Sequence, residues 1–97
     1  MSNFRSAETD TLFEAILTLN TKEELEHFFE DVCTIKEIKE IAQRFLVARL
    51  LDSGQNYQEI TAATGVSTAT ICRVNKCLNY GDGGYRTAID RIGKEGK

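Results

Sequence analysis

A chain of 97 residues is enough for one small domain with one core, and we read residues 1–97 as such. Apolar residues make up 41% and charged residues 28%, as in ordinary soluble globular proteins; with no proline, no alternating β-branched run and helical periods throughout, the expectation is all-α. The net charge of −3 conceals an asymmetry, with ten acids and four bases in residues 1–40 but five acids and eight bases in residues 41–97.

In chain order, residues 1–5 are expected to fray. Ser6 can cap a first helix to about Leu19, with Leu12, Phe13, Ile16 and Leu17 on one face and Asn20 ending it. Thr21 and Glu24 form a capping box for a second helix, which carries Leu25, Phe28, Phe29 and Val32 on its apolar side. Its acids, Glu23, Glu24, Glu26, Glu30 and Asp31, read as a solvated face. Thr34 and Glu37 open a third helix to about Asp52. Ile38, Ile41, Ala42, Phe45, Leu46 and Leu50 give it a wide stripe, suited to touch both the next motif and a partner subunit. Ser53-Gly54-Gln55 breaks it.

The next stretch organises the chain. Asn56 and Glu59 make a capping box for a helix from about Tyr57 to Thr64, and Gly65 stops it in the left-handed conformation. Ser67 caps a second helix to about Leu78. Ile60, Ala63, Val66, Ile71, Val74 and Leu78 are the expected packing positions. Two helices joined by a short glycine-containing turn form a helix-turn-helix, here residues 57–78. Thr61 and Thr64 sit where tighter apolar packing would be usual. No acid occurs between Glu59 and Asp82. The second helix offers small residues at its tip and cations further back, as a helix entering a major groove requires. The candidate DNA-binding residues are Gln58, Ser67, Thr68, Ala69, Thr70, Arg73 and Lys76. Residues 79–85 lack the strand and the Lys-Ser/Thr of a phosphate loop and read as a turn into a last helix, Tyr85 to about Ile92, followed by a polar, unstructured tail from Gly93 to Lys97.

Other chemistries find little support. Cys33, Cys72 and Cys77 are odd in number and form no C-x-x-C pair, which points to reduced thiols in a cytoplasm. His27 stands alone, so no metal site and no cofactor is expected. No Ser/His/Asp set or Cys/His pair supports an enzyme. The N-terminus has no apolar core of a leader, and no apolar run reaches membrane length.

The segments IAQRFLVARLL (41–51) and YQEITAATGVSTATICRVNKCLNYGDGGY (57–85) resemble the Trp-repressor superfamily, in particular the YerC/YecD branch of Trp-repressor-related bacterial proteins. The resemblance implies a six-helix Trp-repressor-like fold and an intertwined homodimer, with two readers facing successive major grooves of a near-palindromic operator in double-stranded DNA. The implied function is a sequence-specific transcriptional regulator, a repressor; the alternative is a dimeric protein-interaction module that no longer binds DNA. In the tryptophan-binding member two arginines sandwich the corepressor. One matches Arg73; at the other position the resemblance places Gln43, with Arg44 next to it. Val74 stands where that member has a glycine. The expected effector pocket is thus Gln43, Arg44, Arg73 and Val74, filled by the valine, and DNA binding is expected without tryptophan.

Overall fold

The computed structural model describes residues 3–95, and these form six α-helices and no strand. They are α1 (Ala7–Leu17), α2 (Lys22–Val32), α3 (Ile35–Asp52), α4 (Tyr57–Thr64), α5 (Thr68–Tyr80) and α6 (Gly84–Glu95). The chain divides into two compact units, one up to Ile38 and one from Lys39 onward.

In the first unit the local chemistry of the helix ends dominates. Ser6 accepts the Thr9 N–H at 3.1 Å, and the Thr9 hydroxyl accepts the Ser6 N–H at 2.9 Å, closing a capping box. α1 ends at Leu17, two residues earlier than expected. The Thr18 and Leu19 N–H groups bond three residues back, and the Thr18 hydroxyl donates to the Ala15 carbonyl, tightening the final turn. Asn20 serves the next helix instead. Thr21 caps the Glu24 N–H, while the Glu24 carboxylate reaches past Thr21 to the Asn20 N–H at 2.7 Å. Thr34 and Glu37 close their box as the sequence predicts. Asn3–Arg5 are non-helical, although the Phe4 ring lies 6.1 Å from that of Phe13; Met1 and Ser2 lie outside the described residues. No residue of α1 or α2 is buried.

The second unit holds a closed apolar cluster. Val47, Ala48, Ile60, Val66, Ile71, Val74 and Ile89 are buried, with Phe45, Leu50, Leu51, Tyr57, Leu78 and Tyr85 packed around them. Burying each of Val47, Ile60, Ile71 and Val74 contributes roughly 1.5–3 kcal/mol over leaving it exposed. Two expectations need correction. The buried residues of α3 are Val47 and Ala48, which the stripe did not include; of the stripe, Phe45 and Leu50 pack on the cluster, while Ile41, Ala42 and Leu46, on the side expected to meet a partner, are exposed in the single chain. Ala63 is also exposed, so α4 holds the core through Ile60. α6 starts at Gly84 and runs through Glu95, beyond the expected Ile92, so Gly93–Glu95 continue the helix; Gly96 and Lys97 lie outside the described residues. Arg86 of α6 donates to Asp52 at the end of α3 at 2.6 Å and, within its own helix, to Asp90 at 3.1 Å, and the Tyr85 ring stacks on Phe45 at 6.5 Å between centroids.

Candidate nucleic-acid interface

The helix-turn-helix is built from side chains that satisfy the free backbone groups at each helix end. Asn56 accepts the Glu59 N–H at 2.9 Å, and Glu59 accepts the Asn56 N–H at 2.8 Å. Gly65 closes α4 at φ +78°, donating to the Thr61 carbonyl at 2.8 Å. That conformation penalises any residue with a Cβ. Thr64, a poor fit by packing rules, has a polar task. Its hydroxyl donates to the Ile60 carbonyl at 2.7 Å and accepts the Val66 N–H at 3.1 Å, joining the end of α4 to the turn. Thr61 has no such compensation: its hydroxyl is buried with no hydrogen-bond partner among the described residues. Val66 is only 5% exposed and fills the angle after the turn, as its position predicts.

Ser67 caps α5 by accepting the Thr70 N–H at 3.2 Å. Ile71 and Val74 turn inward, and α5 packs between α4 and α6. The opposite side is open: Ser67, Thr68, Ala69, Cys72, Arg73 and Lys76 are all exposed, and Thr70 is half-buried. Gln58, in the first turn of α4, is exposed as well. The first turn of α5 carries no acid, so the partial positive charge of its N-terminus is not neutralised locally. Such an end suits a phosphate backbone.

Between α3, α5 and α6 of the same unit lies an open cleft of about 360 Å³, lined by Arg44, Arg73, Val74, Cys77 and Tyr85. The expected pocket is corrected in one member. Gln43 is exposed and does not line it, whereas Arg44 does; one residue along a helix is a rotation of about 100°. Val74 is 1% exposed and belongs to the core, and it also lines the cleft. Cys77 and Tyr85 complete the lining. The sequence offered a signal for Cys77, four residues after Arg73 and so on the same helix face. Burial raises the Tyr85 phenol above its ordinary 10.0, with Arg44 opposing the shift. The phenol therefore stays protonated near neutrality, and the two guanidinium groups set a positive charge in the cleft. Among the described residues no cluster of His, Cys, Asp and Glu could hold a metal, and all three cysteines are free. Among the described residues no helix is long and apolar enough to cross a membrane.

Three comparisons place this arrangement. The chain is 50% identical over 92 residues to the uncharacterized protein YerC of Bacillus subtilis, covering 95% of this chain and 88% of YerC. It superposes on a TrpR-like protein from Eubacterium eligens with a TM-score of 0.87 and 48% identity, over 92% of each chain. A second solved structure, a candidate Trp repressor from Staphylococcus aureus, gives a TM-score of 0.86 and 44% identity, over 92% of this chain and 89% of the other. The profile of the family described as Trp repressor protein matches residues 7–93, and the chain belongs to that family.

Proposed function

We propose that this protein is a sequence-specific, DNA-binding transcriptional regulator of the bacterial cytoplasm. It acts as a homodimer on a near-palindromic operator and represses by occupying it. The carrying observation is the outer face of α5. Small residues stand exposed at its capped tip, Arg73 and Lys76 follow, and no acid occurs between Glu59 and Asp82. Family membership supports the same reading. Residues 1–97 work as one domain, and the chemistry is recognition, not catalysis.

Selection from a random DNA pool, followed by affinity measurements at several salt concentrations, tests this. The expected result is an enriched site whose affinity falls steeply with salt. Arg73→Ala should cost on the order of 1–3 kcal/mol if the guanidinium reads a base. Lys76→Ala should weaken all sequences alike and flatten the salt slope by about one unit. Failure to bind any DNA at low salt would favour the protein-interaction module instead, a reading to which the chain's overall acidity lends weight.

Tryptophan is not required in this proposal. Val74 supplies packing behind α5 from within the chain, so the reader holds its angle to the core without a ligand. Calorimetry with L-tryptophan, paired with DNA binding in its presence and absence, tests the point. Micromolar binding that tightens operator affinity would overturn it and assign the Arg44–Arg73 cleft to that ligand.

A further inference from the structure

The tip of α5 is unusual for a base reader in what it lacks. From Thr68 through Cys72 there is no Arg, Lys, Asn, Gln, Asp or Glu, so the first turn has no side chain able to make a bidentate contact with a base. The hydroxyl of Ser67 is engaged within the helix end: it accepts the Thr70 N–H and donates to the Thr70 hydroxyl, both at 3.2 Å. Thr70 itself is half-buried. Further back, Arg73 lines the cleft with Arg44 and Val74. What remains exposed and uncommitted at the tip is Thr68 and Ala69, each of which presents a methyl group, Thr68 beside its hydroxyl.

Resting on the DNA-binding reading above, we infer that Thr68 and Ala69 read the operator through the C5-methyl groups of thymine. In the major groove that methyl is the one apolar feature that separates T from C at a pyrimidine position. A small apolar side chain gains by covering it, and a long polar side chain would hold it off. At the tip, specificity is a matter of surface fit at one or two thymines in each half-site, separate from any base that Arg73 reads further back.

The test uses the full-length protein and the site enriched by selection, with each thymine replaced in turn by deoxyuridine, which removes only the methyl. At one or two positions per half-site the affinity should fall about three- to fivefold, the scale of one apolar carbon withdrawn from water. Cytosine there should also bind more weakly, and 5-methylcytosine should recover part of that loss. Ala69→Gly and Thr68→Ser each delete a methyl and leave the cap intact; circular dichroism checks that both still fold. In one or both variants the thymine-to-uracil penalty should disappear. If uracil is neutral at every position while the site is still bound specifically, the inference is overturned and the DNA-binding reading stands. A penalty that persists unchanged in both variants also overturns it. Absence of any specific DNA binding removes both readings together.

Discussion

The two units of this chain solve the problem of apolar surface in opposite ways. From Lys39 onward, α3 to α6 enclose their own cluster, and Val47, Ala48, Ile60 and Ile71 lose contact with water altogether. Up to Ile38, α1 and α2 bury no residue, and Phe4, Phe13, Leu17, Val32 and Ile35 are all more than half exposed, with Leu17 at 82%. The helices of the first unit are nonetheless well capped, so their form is fixed locally while their apolar faces are not covered within the unit. A capped helix with an open apolar face is ready-made for a second copy, and the homodimer proposed above would supply that cover.

Mutations that act on one unit and spare the other sharpen the contrast. The largest effect is expected for Ile71→Ala, which opens a cavity in the closed cluster and should cost about 2–5 kcal/mol in urea unfolding. The next largest is expected for Leu17→Asp. If a second copy covers α1, light scattering should show the mass of a dimer for the wild type and of a monomer for the variant. The wild type's melting temperature should also rise with protein concentration, and the variant's should not. A wild type that is monomeric at micromolar concentration would break the comparison, leaving the apolar faces of α1 and α2 without an occupant. Gly65→Ala comes third. No atom lies within 4 Å of the added Cβ, so the cost is backbone strain alone, about 1–2 kcal/mol. The smallest effect is expected for Asp52→Asn. Arg86 donates to the Asp52 carboxylate and holds its pKa below the ordinary 3.8. A pKa lowered by folding contributes stability above the unfolded value, and that stability is lost as pH falls through the folded value. Acid unfolding of the variant should therefore depend less steeply on pH below about 4, and high salt should erase the difference because the pair is exposed.

What was legible in the sequence was local. Asn56–Glu59, Thr34–Glu37, Gly65 and Ser67 announce helix ends because a cap involves residues three or four apart. Burial is not local, and α3 shows the difference. Its apolar residues form two stripes, and periodicity cannot tell which of them meets the cluster. The sequence reading takes the stripe of Ile38, Ile41, Ala42, Phe45, Leu46 and Leu50, of which Phe45 and Leu50 pack on the cluster, whereas the residues the structure buries, Val47 and Ala48, lie beside it. The same helix produced the error at Gln43, where a shift of one residue turns a side chain by more than a quarter of a circle. Tyr85 was missed for a related reason: its partner Phe45 lies on another helix, and nothing local pairs them. Thr64 looked like a defect by packing rules because its value is polar, a bond to each side of the turn.

That bridge at Thr64 has a thermodynamic consequence. Ile60 O, the Thr64 hydroxyl and the Val66 N–H form a continuous chain of bonds, flanked by the caps at Asn56 and Ser67, so the helix-turn-helix holds its ends together from within the chain. If the DNA binding proposed above holds, a motif already bonded in this way needs no segment to order on association. The heat-capacity change measured by calorimetry should then match the apolar area covered at the contact, without the larger negative value that accompanies coupled folding.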